Sequence, residues 1–289
     1  MKVSIVTPSY NQGQFIERTL QSVANQCGAE IEHFVVDGGS TDNTIEILKN
    51  FTPTVRWISE KDKGQTDAVN KGICDTDGEI IGWLNSDDIY YPNTIANVVA
   101  FFEANPEVDA VYGMADHIDI EDRVIEPYPT ERWDFRRLTE TCFICQPALF
   151  FRRRIVNKFG PLDVSLDYCM DYEYWLRLGR NGVRFVYLEN KLAGSRLYPE
   201  NKTMTAKVKV HKEINDMFMK FMGRVPDKWL FAYASALVRQ NYSNNENKFL
   251  IGFQVVINSI ISSLRWNRGI SVTLLKTICI RFFRQTGLL

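Results

Sequence analysis

The stretch Trp83-Leu84-Asn85-Ser86-Asp87-Asp88 constrains this chain more than any other. Gly78 to Leu84 is an apolar run of strand length, and it stops abruptly at two adjacent aspartates. Beyond Tyr91-Pro92-Asn93, the residues Ile95, Val98, Val99 and Phe102 recur at helical spacing. The pattern predicts a buried strand over 78–84 and a helix over 94–104, with the acids on the intervening turn. In an open α/β sheet, the carboxyl ends of the strands are where ligands bind. Two carboxylates there repel each other unless a cation lies between them and the ligand. Mg²⁺ typically uses one or two carboxylates plus substrate phosphates. The alternative for the same residues is a solvated turn whose aspartate caps the next helix.

The preceding chain alternates strand and helix. Lys2 to Thr7 reads as a buried strand closed by Pro8, and Phe15, Ile16, Leu20 and Val23 define an amphipathic helix to about Gln26. Ile31 to Asp37 is a second strand, ending in Gly38-Gly39-Ser40-Thr41-Asp42, where Asp42 or Thr41 can cap a helix through Ile45 and Leu48. Thr54 to Ser59 is a third strand, and Lys63 to Gly72 a turn and short helix. Such alternation argues for a mostly parallel sheet with helices on its faces. Polar residues recur at the strand ends: Thr7, Ser9, Asp37, Asp67, Asp87 and Asp88. Neither the G-x-G-x-x-G dinucleotide fingerprint nor a P-loop follows the first strand.

Further on, Val108–Gly113 reads as a strand, His117–Ile125 as a hairpin, Gln146–Phe151 as a strand and Val183–Leu188 as a last strand. A short helix opens at Arg152-Arg153-Arg154, a run that most simply forms a solvated face. Asp171 lies in the first turn of a helix from Met170, where it either complements the helix dipole or serves as a general base beside aromatic residues. Glu173 could do the same. Cys142-Phe143-Ile144-Cys145 lacks a second pair and nearby histidines, so buried free thiols are expected rather than zinc.

The formal net charge of −1 hides an uneven distribution. From Thr203 onward there are 13 Lys/Arg against 4 Asp/Glu, which leaves the rest of the 289 residues ten charges acidic. We therefore expect two parts, 1–202 and a helical, basic 203–289. Helices are predicted over 203–222 and 226–240, followed by a polar break at Asn244-Asn245-Glu246-Asn247. Phe249 to Leu264 is apolar but interrupted by Gln254, Asn258 and serines, short of the run of about 20 apolar residues that spans a bilayer. Arg265, Arg268, Lys276, Arg281 and Arg284 alternate with Trp266, Ile270, Leu274, Leu275, Ile278, Ile280, Phe282 and Phe283, which suits helices lying at a membrane interface. Packing on the domain or on a second subunit is the competing reading. With no disulfide-like cysteine framework and no signal-peptide pattern at Met1, the expected setting is a reducing cytoplasm.

The first 190 or so residues resemble the family 2 glycosyltransferases, inverting nucleotide-sugar enzymes of the GT-A fold. Five motifs in order carry the resemblance: Val6-Thr7-Pro8-Ser9-Tyr10-Asn11, Val36-Asp37-Gly38-Gly39-Ser40-Thr41-Asp42, Lys63 to Gly72, Trp83 to Asp88, and Met170-Asp171-Tyr172-Glu173-Tyr174-Trp175. It implies a Rossmann-like, mostly parallel α/β sheet flanked by helices. It also implies roles: Thr7, Pro8 and Tyr10 lining the nucleotide pocket, Asp37 accepting from the base, Lys63 and Asp67 facing the nucleotide. Asp87 would contact ribose or sugar, Asp88 would ligate Mn²⁺ or Mg²⁺, Asp171 would be the base, and Trp175 would stack on sugar or acceptor. The resemblance is to bacterial members that build exopolysaccharide or O-antigen units. It implies a nucleotide-sugar donor, UDP-sugar favoured, and a lipid-linked glycan acceptor at the inner face of the cell membrane, without nucleic acid. One departure stands out. The family's late Arg-x-His is here Arg196-Leu197-Tyr198, and tyrosine is a poor ligand for these metals; Arg196 and Lys202 would still steady the diphosphate. The other function compatible with these motifs is a non-catalytic nucleotide-sugar-binding scaffold.

Overall fold

The computed structural model describes residues 1–52, 54–242 and 248–286, the last six by backbone alone. The chain forms two compact units, Met1–Tyr198 and Pro199–Leu289. The predicted polar break at 244–247 lies outside the described residues.

In the first unit the elements run β1 (Lys2–Ser9), α1 (Ile16–Ala24), β2 (Glu30–Asp37), α2 (Thr44–Asn50), β3 (Arg56–Ser59), α3 (Gln65–Cys74), β4 (Ile80–Trp83), β5 (Ile89–Tyr90) and α4 (Thr94–Ala104). They continue with β6 (Ala110–Ile118), β7 (Val124–Pro127), α5 (Phe135–Glu140), β8 (Leu149–Arg152), α6 (Arg153–Phe159), α7 (Met170–Arg180) and β9 (Phe185–Arg196). One sheet has the order β3-β2-β1-β4-β8-β6-β9-β5, with β7 paired to β6. The first four strands in sequence are parallel, as the alternation predicts, because each is joined to the next by a helical crossover. Beyond β4 the pairings with β8, β7 and β5 are antiparallel, while β6 and β9 run parallel, so the sheet as a whole is mixed.

Burial explains why these segments are strands. β1 is closed to solvent from Val3 to Ser9 and β4 throughout, as expected of parallel strands covered on both faces. A core of Val3, Ile5, Ile80, Leu84, Ile95, Val98, Phe102, Val111 and Phe150 joins α4 to the sheet. Helix α3 approaches β1 so closely that a Cβ on Gly72 would stand 2.2 Å from Val6 Cγ1. Any larger residue there must push aside the Val6 side chain, next to Thr7 in the strand.

Strand β9 is much longer than the six residues expected. It continues through Glu189-Asn190-Lys191, where β9 bulges twice against consecutive residues of β6, and Ala193 and Gly194 then pair with both β6 and β5. Ladder pairing overrides a polar stretch that reads locally as loop. The consequence is functional: Arg196, expected in an irregular segment, is the last residue of a central strand.

The second unit contains α8 (Lys202–Thr205), α9 (Lys207–Met222), α10 (Asp227–Arg239), α11 (Lys248–Asn267) and α12 (Val272–Thr286). Val210, Ile214, Met217 and Phe218 of α9 are buried, as are Leu230, Phe231, Ala234 and Val238 of α10. Trp266 anchors the end of α11: its indole donates to Asp216 Oδ1 at 2.8 Å and its ring meets Tyr233 edge-on at 5.0 Å. α11 is long and apolar enough to cross a membrane by length and composition alone, contrary to the shorter run read from the sequence.

Candidate active site

The carboxyl ends of β1, β2 and β4 lie side by side, because Ser9 pairs with Asp37 and Val6 with Trp83. This register brings the first, second and fourth motifs to one sheet edge.

Asp37 is fully buried at the end of β2. Its Oδ2 accepts from the Gly39 and Ser40 amides at 3.0 and 2.8 Å and from Ser59 Oγ at 2.7 Å, while Oδ1 accepts from Ser40 Oγ. Gly39 makes this wrap possible with φ +85°. A carboxylate has about four acceptor sites, and three donors crowd Oδ2. The carboxylate is thereby enclosed by its own turn and by Ser59, and it braces the backbone of Gly39 and Ser40 at the strand end. Asn11, in the left-handed region at φ 51°, ties the neighbouring loop down by accepting from the Thr41 amide at 2.8 Å. Tyr10 beside it is 60% exposed, an aromatic face left open at the site's edge.

The acid turn is held from three sides. Thr19 Oγ1 lies 2.9 Å from the Ser86 carbonyl and 2.8 Å from that of Asp88, fastening the turn to α1. The Arg196 amide donates to Asp88 Oδ1 at 2.8 Å, and Asn85 Nδ2 donates to Oδ2 at 3.2 Å. Tyr198 donates its hydroxyl to Asp87 Oδ2 at 3.0 Å. Burial, together with the Asp87 charge, pushes the Asp88 carboxyl up to about 8, and burial pushes Asp87 up as well. Two adjacent carboxyls with so little solvent resist ionising together, so one holds a proton until a cation takes its place, the condition a divalent ion meets. One or two carboxylates completed by phosphates suit Mg²⁺ or Mn²⁺. Asp88 and Asp87 fit that role. Among the described residues no group of three or more His, Cys, Asp or Glu forms a self-sufficient metal cage, so phosphates would have to complete the shell.

Asp171 begins α7 and is partly buried. Burial pushes the Cys145 thiol up, and the Asp88 and Asp171 carboxylates add to the effect. The α3 segment joins the two regions physically. Gln65 donates to Asn85 Oδ1 at 2.8 Å, Thr66 to the Leu166 carbonyl at 2.9 Å, and Asn70 to the Leu162 carbonyl at 3.0 Å in the loop leading to α7. Glu173 is taken by a two-pronged ion pair with Arg177 at 2.9 and 3.1 Å, which leaves Asp171 as the better-placed base of the two.

Several expected contacts are redirected. The Arg196 guanidinium is buried and faces protein: Nε donates to the Asp87 carbonyl at 2.6 Å, Nη2 pairs with Asp122 at 2.5 Å, and Phe15 stacks 4.9 Å away. The expected diphosphate contact is therefore replaced by a positioning role, fixing the acid turn from below. Trp175 is 1% exposed among Phe151, Tyr174 and Phe185, so it is core and offers no stacking face to a sugar. Its i+4 spacing from Asp171 in the motif masks its inward direction. Thr7 is buried with Oγ1 2.9 Å from His33 Nε2, where burial lowers the imidazole to about 3. Pro8 is buried beside it, Asp67 Oδ2 accepts from the Lys63 amide at 3.1 Å, and the Lys63 side chain is exposed. Cys145 is buried and free and Cys142 is free and half-buried.

Sequence reasoning missed the polar hub beneath the acids. Asn85 accepts from Trp83 Nε1 at 2.9 Å as well as from Gln65, and donates to both Asp88 and Gln146. Gln146, read as opening a strand, lies in a short 3₁₀ turn and donates back to the Trp83 carbonyl at 2.5 Å. The available signal was a polar residue inserted between an apolar strand end and two acids. Tyr198→Phe tests the upper part of this frame. Its hydroxyl is a force lowering Asp87, so its loss raises that carboxyl further and moves the pH midpoint for Mn²⁺ binding upward, measured by titration calorimetry.

A mixed sheet with acids from separate strand ends at one edge is the arrangement of the GT-A fold. The model for glycosyl transferase family 2 matches residues 4–160, and the chain belongs to that family. It is 26% identical to an uncharacterized glycosyltransferase of Rickettsia prowazekii, over 95% of this chain and 94% of that protein. Its structure is similar to Staphylococcus aureus TarS 1–349 in complex with UDP-GlcNAc, with TM-score 0.63, 17% identity, and 92% of this chain and 82% of the other covered. The mannosyltransferase PcManGT of Pyrobaculum calidifontis, in complex with GDP-Man and Mn²⁺, superposes with TM-score 0.61 at 17% identity, covering 99% and 83%.

Proposed function

We propose that this glycosyltransferase is a metal-dependent, inverting hexosyltransferase. It moves a sugar from a nucleotide-diphosphate donor, UDP-sugar favoured, to a hydroxyl of a lipid-linked glycan acceptor in bacterial surface polysaccharide synthesis. The observation that carries the reading is the acid turn at the end of β4, with Asp88 buried and Asp87 half-buried, tied through Asn85 and Gln65, Thr66 and Asn70 of α3 to the loop that leads to Asp171. Tyr10 offers a stacking face to the base, and a base N–H reaches Asp37 only as the Gly38–Ser40 turn around it gives way. Asp88, with Asp87, would hold Mn²⁺ or Mg²⁺ together with the donor phosphates, and the ion would supply Lewis-acid stabilisation of the leaving diphosphate. Asn85, Tyr198 and the Arg196 amide keep both carboxylates aimed from below. Asp171 takes the acceptor proton as the acceptor oxygen bonds to the anomeric carbon and the carbon–phosphate oxygen bond breaks on the opposite face. One displacement with one base inverts the centre, and no second, nucleophilic carboxylate is needed. The Cα of Asp171 is fixed by a rigid helix rather than a loop. The basic C-terminal unit suits work at the inner, cytoplasmic face of a membrane, where a lipid-linked acceptor is displayed.

A thermal-shift panel of nucleotide sugars with and without Mn²⁺ tests this. A donor at a hundredfold excess over its dissociation constant stabilises the native state by about 2.7 kcal/mol, so the matching UDP-sugar raises Tm only when metal is present. A panel in which no nucleotide sugar shifts Tm would reject the reading.

A further inference from the structure

Helix α11 is built the wrong way round for water. The face packed within its own unit is small and polar: Gly252, Val255, Ser259, Ser262 and Ser263, closed by Trp266. The serine hydroxyls are satisfied locally, Ser259 by the Val255 carbonyl at 2.7 Å and Ser262 by that of Asn258 at 2.6 Å. The opposite face carries the bulk. Leu250, Phe253, Ile257, Ile261 and Leu264 recur at intervals of three and four and are all exposed, Phe253 to 50% and Ile261 to 54%. Val272, 69% exposed, and Leu275 extend the apolar surface onto α12. Small residues inside and large aliphatic ones outside is the arrangement of helices whose solvent is lipid.

The charge pattern selects the occupant. No charged residue lies between Lys248 and Arg265, and exposed Lys248, Arg265, Arg268 and Lys276 rim the ends. A helix pairing in water with a second copy carries charged residues along the flanks of its seam, which this one lacks. Two copies, each with a net excess of nine positive charges from Thr203 onward, also repel. An anionic leaflet attracts the rim and dissolves the stripe.

We propose that the outward face of α11, with the start of α12, is seated in the headgroup–acyl boundary of an anionic membrane, the helix lying in the plane. Crossing the bilayer is disfavoured by the neighbours within the unit. α10 packs along α11 and has exposed Lys228 and Arg239 near its two ends, and α9 adds exposed Lys207 and Lys209. The inference deepens the membrane reading above and does not depend on the chemistry at Asp171.

The test uses the full chain and phosphatidylcholine vesicles with and without phosphatidylglycerol, read by co-flotation. The protein floats with the anionic vesicles and much less with the neutral ones. Phe253→Glu, Ile257→Glu and Ile261→Glu together lower partitioning by at least about a hundredfold, since each buried side chain is worth about tenfold or more. These positions are exposed, so Mn²⁺-dependent UDP binding, measured on the same samples, persists. A second variant, Arg265→Gln with Arg268→Gln and Lys276→Gln, keeps the apolar face and loses about a hundredfold on anionic vesicles alone, at about fivefold per charge. Equal flotation of the glutamate variant, or a wild-type dimer that this variant dissociates while vesicles are ignored, overturns the proposal. Loss of UDP binding in the wild type would instead reject the enzymatic reading and leave the membrane result standing.

Discussion

Asp171→Asn lowers the turnover number by about 10²–10⁴-fold, the range a positioned general base contributes, and leaves UDP affinity essentially unchanged. The substitution is nearly isosteric. Asp171 sits in the first turn of α7, and the Tyr172 amide donates to its Oδ1 at 2.7 Å, an acceptor that asparagine retains. What disappears is the capacity to take a proton from the acceptor hydroxyl. Glu173→Gln is the matched control. Glu173 is held by Arg177, so its loss weakens a partly exposed ion pair worth about 1 kcal/mol or less and lowers Tm slightly with little change in turnover. Reversal of the two outcomes would move the base two residues along the helix, to Glu173. A wild-type protein that binds UDP and metal yet never transfers sugar would instead be a scaffold, and the two variants would then be indistinguishable.

Much of the fold was legible because the first half of the chain obeys local rules. β1, β2 and β4 are apolar runs ended by polar residues, and their helices show 3.6-residue periodicity, so the shared strand edge and its acids followed from sequence. The later elements were less readable for a physical reason. β9 is stabilised by pairing with β6 and β5, 70 or more positions away, and nothing local in Glu189-Asn190-Lys191 announces a strand. Arg196 was misread for the same reason: its partners Asp87 and Asp122 come from elsewhere in the chain, and a cation near a phosphate site looks like a ligand until its burial is known. Trp175 illustrates the converse. A motif assigns it to the site, but helix geometry turns it into the aromatic core. Asn85 was within the motif and still missed, because a hub is defined by its four partners rather than by its own chemistry.

The same hub decides what happens when Asp88 is replaced. A carboxyl held near 8 in the folded protein and near 4 in the unfolded chain makes the native state bind more protons between those values. Stability of the metal-free protein therefore falls as pH rises from about 4 to about 8. Metal binding requires the deprotonated carboxylate, so the Tm increment from Mn²⁺ with UDP grows across the same window. Asp88→Asn removes both effects at their source. Its metal-free Tm declines less steeply with pH, with a residual slope from Asp87, whose carboxyl is also raised by burial. The new amide can still accept from the Arg196 amide, but its Nδ2 then faces the Asn85 donor. Asn85 cannot flip to adapt, because its Oδ1 is already taken by Trp83 and Gln65. That unmet donor costs about 1–3 kcal/mol at every pH. The variant should accordingly be less stable than wild type at pH 5 and approach it by pH 8, without any Mn²⁺ increment. Lewis-acid stabilisation of a leaving group is worth several kcal/mol, which converts to about 10³-fold in turnover. Melting curves at several pH values with and without Mn²⁺, run beside donor turnover, read all of these. A variant that keeps its Mn²⁺ increment would remove Asp88 from the metal's coordination shell.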